Sequence, residues 1–158
     1  MNKEQLLQII APCGKLCSSC ADYYDGQIRK QADALHYAMK GYDGFLGTEK
    51  FYKGWKDFRE FQKYLTKLSC ASCKGCRAGG TCANKFQECV IPKCTKARGI
   101  AFCGECSEYP CDRSDIHNGS ALRDWRERND YIKENGVEAY YGTYKNKQHY
   151  YQYCYDEP

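Results

Sequence analysis

The segment Cys70 to Cys111 reads CASCKGCRAGGTCANKFQECVIPKCTKARGIAFCGECSEYPC and holds nine of the 13 cysteines in the chain. Its spacings run C-x2-C-x2-C, then single cysteines at Cys82, Cys89 and Cys94, then C-x2-C-x4-C. A C-x2-C pair is informative because a tight turn lets both sulfurs reach one metal ion at about 2.3 Å, with backbone N–H groups left to satisfy the thiolates. Gly75 and Gly104 stand inside such turns, where a missing Cβ permits unusual backbone geometry. The apolar members of the segment are mainly Phe86, Val90, Ile91, Ile100, Ala101 and Phe102, few for its length. Something else must offset the conformational entropy, and a thiolate zinc site contributes an apparent ~10–16 kcal/mol in small peptides. The segment, about 70–114, is therefore expected to be an irregular metal-binding lobe of zinc-knuckle-like turns.

A second group, Cys13, Cys17 and Cys20, opens the chain with the spacing C-x3-C-x2-C. Radical S-adenosylmethionine enzymes use that spacing, but on a large barrel of alternating strands and helices, and 158 residues without strand signals leave no room for one. The expectation is that these three thiolates complete their shell with a cysteine of the later group and tie the N-terminus to the lobe.

Length and composition agree with one domain spanning 1–158. Apolar residues make up 42% and aromatics 15%, enough for a core. Thirteen cysteines could mean disulfides or metals. Met1 to Gly14 has only Leu6, Leu7, Ile9 and Ile10 as its apolar stretch, without an h-region or cleavage site, and no run suits a membrane span. A cytoplasmic location with reduced thiols is expected, and an odd cysteine count is awkward for disulfides alone.

The rest of the chain reads as a helical body over about 1–69 and 115–158, giving a mainly α fold. Ile28, Ala32, Leu35, Met39 and Tyr42 fall on one helical face. After the glycines at 41, 44 and 47, Thr48 suits an N-cap, Glu49 a first turn, and Phe51, Trp55, Phe58, Leu65 and Leu68 an apolar face. The two helices should pack as a hairpin. Ser120 opens a third helix with Leu122, Trp125 and Ile132 on one side and Arg123, Asp124, Arg126, Glu127 and Arg128 mostly on the other. Asn135 and Gly136 should stop it, and Val137 to Tyr144 form a fourth, short helix. The tyrosine-rich tail from Tyr150 should pack on the body.

The ordered stretches APCGKLCSSCADYY (Ala11 to Tyr24), CKGCRAGGTC (Cys73 to Cys82) and CVIPKCTKARGIAFCGECSEYPC (Cys89 to Cys111) resemble the cysteine-rich bacterial and archaeal proteins catalogued as domain of unknown function 3795. The resemblance implies a small metal-binding protein with ligand candidates Cys13, Cys17, Cys20, Cys73, Cys76, Cys89, Cys94, Cys103, Cys106 and Cys111. Cys70 and Cys82 lie outside that pattern as additional candidates, and Cys154 reads as a small buried side chain. The family brings no established activity.

Zinc, as two or three ions, is the expected metal. A [4Fe-4S] cluster is the alternative, because Cys70, Cys73 and Cys76 look like the opening of a bacterial ferredoxin run. That run then breaks, with five residues before Cys82 and Ala83 where proline belongs. Three functional classes follow. A zinc-stabilised binding or adaptor module is the first; an iron–sulfur protein in electron transfer or redox sensing is the second. An enzyme is disfavoured, since His36, His117 and His149 form no H-x-x-H or H-E-x-x-H pattern and no phosphate-loop or nucleophile-elbow motif occurs. Catalytic residues are therefore not assigned. The stretch from Lys74 to Arg98 carries Lys74, Arg77, Lys85, Lys93, Lys96 and Arg98 against Glu88 alone, a net +5 within a chain of net +4. Nucleic acid is one partner for such a stretch, but offsetting the negative charge of thiolate sites is the favoured reading.

Overall fold

The computed structural model describes residues 1–42, 44, 57–80, 89–112 and 120–149, with the backbone alone at 120–122. The elements are α1 (Lys3–Ile9), α2 (Gln27–Ala38), α3 (Phe58–Ser69), α4 (Ile91–Ala97) and α5 (Ser120–Tyr144), with short 3-10 turns at Cys76–Ala78 and Cys103–Glu105. No strand occurs among the described residues; Ile10 with Leu16 and Tyr23 with Cys73 form isolated bridges. The fold is mainly helical, as the sequence predicts.

Helix α1 was not foreseen from the sequence. It starts on a reciprocal cap: the Asn2 side chain accepts from the Gln5 N–H and the Gln5 side chain from the Asn2 N–H, both at 2.9 Å. Two of the orphan donors of a helix start are thereby satisfied, so seven residues suffice to hold a helix that buries Leu6.

The expected hairpin forms from α2 and α3, which pack on one another and bury Ala32, Phe58 and Leu65. Arg29 fastens it, its guanidinium donating to the carbonyls of Ser69 (3.1 Å) and Tyr24 (2.7 Å). Leu35 and Tyr42, on the predicted face of α2, are exposed. Thr48, Glu49, Phe51 and Trp55 lie outside the described residues, as does the tail from Tyr150.

Helix α5 breaks where predicted: Gly136 has φ +83° inside an otherwise helical run, so a new segment begins at Val137. The charges do not all face solvent. Arg128 is buried and pairs with Asp124 at 3.5 Å, because this side of α5 rests on the loop at Gly14, whose backbone approaches the Arg128 side chain too closely for any Cβ.

The main core joins distant parts of the chain. Leu6, Ile10 and Leu16 meet Phe102 and the α5 residues Ile132, Val137, Tyr140 and Tyr144. Tyr140 stacks on Tyr144 with ring centroids 4.6 Å apart and donates its buried hydroxyl to the Gly14 carbonyl at 2.6 Å. Phe102 comes from the cysteine-rich segment, as does Ile91, which is 2% exposed. The sequence reading drew a metal lobe beside a helical body; here Ile91 and Phe102 of that segment are buried, Val90, Ile100 and Ala101 are half-buried, and Phe102 sits in a core shared with the helices.

Candidate functional site

Folding sorts the described cysteines into two sets. The first is built from two turns. In Cys17–Cys20, the Cys17 N–H donates to the Ile9 carbonyl (2.7 Å) and the Cys20 N–H to the Cys17 carbonyl (2.9 Å). The Cys73–Cys76 turn is laid against it by the bridge at Tyr23: the Tyr24 N–H donates to the Cys73 carbonyl (3.0 Å) and the Cys73 N–H to the Asp22 carbonyl (2.9 Å). Gly75 has φ +89°, which an L side chain rarely adopts, and its N–H donates to the Cys73 sulfur at 3.4 Å. The backbone of Cys76 donates to Cys17. Burial pushes the Cys17 thiol up to about 12, and Cys13, Cys20 and Cys73 push in the same direction, so these sulfurs stand close enough to suppress the ionisation of Cys17.

The second set is more local. Cys94 lies in α4, Cys103 opens the second 3-10 turn, Cys106 closes it and Cys111 follows. All four line one cavity of about 30 Å³, with Ile91, Thr95, Ile100, Tyr109 and Trp125 as the rest of its wall. Burial again raises a thiol, Cys103, to about 12; the neighbouring Trp125 indole opposes this, and Cys13, Cys111 and Cys94 add to it. The turn itself is braced by Glu105, whose carboxylate accepts from the Ala101 N–H at 2.7 Å.

Cys13 lies between the sets, since it raises both Cys17 and Cys103. The junction is held by Asn129, which is completely buried. Its Oδ1 accepts from the Gly104 N–H (3.0 Å), while its Nδ2 donates to the carbonyls of Cys13 (3.2 Å) and Trp125 (2.9 Å). Gly104 therefore serves closeness more than unusual dihedrals: a Cβ there would stand 2.8 Å from the Asn129 carbonyl oxygen. The sequence reading passed over Asn129. Its signal was a side-chain amide four residues after Trp125, and so on the same inward face of α5.

Arg77 stands near the first set. Its guanidinium donates to the carbonyls of Leu7 (2.9 Å) and Ala101 (2.6 Å) and lies over the Phe102 ring at 5.1 Å. Burial lowers its pKa, while Glu105, Cys17, Cys76 and Cys13 draw it back up. Arg98 stands at the second set, 3.3 Å from the Cys106 sulfur and 2.7 Å from Glu108. Two cations of the basic stretch are thus engaged within the chain.

Of the other candidates, Cys70 is exposed and Cys89 half-buried, while Cys82, Cys154 and His117 lie outside the described residues. His36 faces the Ser69 hydroxyl (3.5 Å) and His149 the Ser19 hydroxyl (3.0 Å). Among the described residues, no three His, Cys, Asp or Glu side chains converge as they stand into a group able to hold a metal ion. The donor chemistry nonetheless fits one. The thiols of Cys17 and Cys103, held against ionisation by burial and by neighbouring cysteines, would be relieved by a divalent cation, which reverses the local electrostatics and takes sulfur readily.

A family model described as "Protein of unknown function (DUF3795)" matches residues 9–116. No curated protein and no solved structure matches the chain. Among the described residues no helix is long and apolar enough to cross a membrane.

Proposed function

The chain belongs to the DUF3795 family of proteins of unknown function, and from that premise we propose that it is a metal-binding protein with two structural thiolate zinc sites, serving as a binding or adaptor module in the cytoplasm. Cys17, Cys20, Cys73 and Cys76 form the first site with Cys13 at its edge; Cys94, Cys103, Cys106 and Cys111 form the second. Both lie within the matched residues. The observation that carries this reading is the gathering of four cysteines around a single small cavity. Loading draws the sulfurs inward on the ion. Four thiolates close a zinc shell, leaving no open position for water or substrate, which suits a structural role and not metal catalysis. A reducing compartment keeps such ligands available.

An iron–sulfur cluster is the second reading. It is favoured by the apolar wall of Ile91, Ile100 and Trp125 and by the hydrogen bonds from Gly75 to Cys73 and from Arg98 to Cys106, features that tune cluster potentials. The small cavity of the second set, about 30 Å³, supports the single ion over a cluster of eight atoms.

Elemental analysis of protein purified without air tests both. About two zinc ions per colourless chain is the expected result, with strong chelators loosening the segment 70–112 before the α2–α3 hairpin. Iron matched by acid-labile sulfide, with broad absorption near 400 nm, would replace zinc by a cluster; protein without metal would overturn both.

A further inference from the structure

Arg98 follows α4 directly, and its N–H donates to the Cys94 carbonyl at 3.1 Å, which fixes the base of its side chain. Nη1 then donates to the Cys106 sulfur at 3.3 Å and Nη2 to the Glu108 carboxylate at 2.7 Å. Arg98 therefore ties two separate pieces of the chain, its backbone to the helix of Cys94 and its guanidinium to the Cys106 sulfur beyond the 3-10 turn, and a carboxylate aims it. A cation that served only to keep the surface solvated would have no reason to bridge the two.

We propose that Arg98 is the positioning residue of the second metal site, holding Cys94 and Cys106 in register and offsetting the charge their thiolates bring to a bound divalent ion. The inference rests on the metal reading above and adds to it which residue governs the affinity of one site and leaves the other alone. The planar fork of arginine suits the task, since it presents several donors at fixed angles where a lysine presents a single point charge. A divalent ion with four thiolates carries two negative charges, and a guanidinium in contact with one of the sulfurs cancels half of that. Arg77 is placed differently at the first set, its Nε and Nη2 donating to the carbonyls of Leu7 and Ala101.

The test uses the full chain loaded with Zn2+. Transfer of zinc to a chromophoric pyridylazo chelator is followed for the wild type, Arg98→Gln, Arg98→Lys and Glu108→Gln, and Co2+ replaces zinc in parallel samples to give sulfur-to-metal absorption bands. The expected result is two release phases, of which Arg98→Gln accelerates one by ~10–100-fold, the usual effect of losing a partner of a metal ligand. The other phase keeps its rate and reports that the variant is folded. Arg98→Lys recovers part of the loss, Glu108→Gln moves the same phase in the same direction by less, and the cobalt bands of one site alone shift. Two zinc ions released from Arg98→Gln at wild-type rates would overturn the assignment and leave the metal reading standing. Equal acceleration of both phases would overturn it as well, as a general loosening. If Arg98→Gln does not fold, unchanged release from Glu108→Gln overturns the proposal. Wild-type protein without zinc would remove the reading on which it rests.

Discussion

The two cysteine sets reach similar surroundings by different routes. The first is assembled over a long stretch, Cys17 to Cys76, and depends on backbone pairing at Tyr23 and Cys73 to bring its two turns face to face. The second lies between Cys94 and Cys111, and one helix and one 3-10 turn suffice to gather it. Closing the longer loop costs roughly 1 kcal/mol more in chain entropy, a small difference beside what one metal ion contributes. Their cations differ too: Arg77 is spent on backbone carbonyls, whereas Arg98 touches sulfur. The lesson is that the second set is gathered within one short stretch, whereas the first, on the proposed metal reading, would staple the N-terminus to the rest of the chain.

The largest expected effect follows from that difference. Cys17→Ser should lower bound zinc from two ions to one and remove the long-range staple, with much of the apparent ~10–16 kcal/mol of a structural zinc site lost from this part of the fold. Cys111→Ser should also lose one ion but shift the unfolding midpoint less, since α5 and α1 still pack around Phe102. Metal analysis and thermal melting of the two variants check this. Loss of both ions from Cys17→Ser would break the comparison, because the sets would then be one cooperative unit.

The next effects concern the junction. Asn129→Ala leaves the Gly104 N–H and the Cys13 carbonyl without their buried partner, at about 1–3 kcal/mol for each group left unsatisfied. Gly104→Ala forces a methyl against the Asn129 backbone at 2.8 Å and should cost about 1–3 kcal/mol. Both variants should keep two metal ions and lose stability in chemical denaturation. If either variant also lost metal, the junction would be part of the sites and the separation into two sets would need redrawing.

How much of this was legible in the sequence depends on the range of the interaction that carries it. The hairpin and the break at Gly136 could be read, because apolar spacing and a helix-stopping glycine are local patterns; which later cysteines the N-terminal group meets was left open, because the Tyr23–Cys73 pairing that brings the two turns together spans a long stretch of chain. The shared core could not, since the inward placing of Phe102 is set by α1 and α5, far away in sequence. Arg128 looked like one more solvated charge, and only its Asp124 partner and the neighbouring Gly14 loop explain its burial. Asn129 is the clearest case. Its three hydrogen bonds reach Gly104, Cys13 and Trp125, and only Trp125 is near enough in sequence to be inferred from helical spacing.

The smallest expected effect separates the sets by pH. His149 accepts or donates at Nδ1 to the Ser19 hydroxyl, and Ser19 lies within the Cys17–Cys20 turn. Burial first, then Lys15 and Arg128, lower its pKa to about 4, against weaker opposing pulls from the Leu16 backbone and Asp22; Lys147 stands nearby in the same pocket. Below its ordinary value of 6.5 the unfolded chain takes up a proton that the folded chain refuses, so this contribution is fully present above pH 6.5 and is lost as the pH falls towards 4. The loss should be on the order of 1 kcal/mol once partial solvent exposure is counted. His149→Gln keeps a hydrogen-bonding group towards Ser19 without the titration, so wild type should lose melting temperature relative to it between pH 7 and 4. Hydrogen exchange should place the acid sensitivity at residues 15–24 and leave 94–111 unchanged. A wild-type profile parallel to that of His149→Gln would show that the histidine titrates normally, and acid effects on the first set would then have to come from its cysteines.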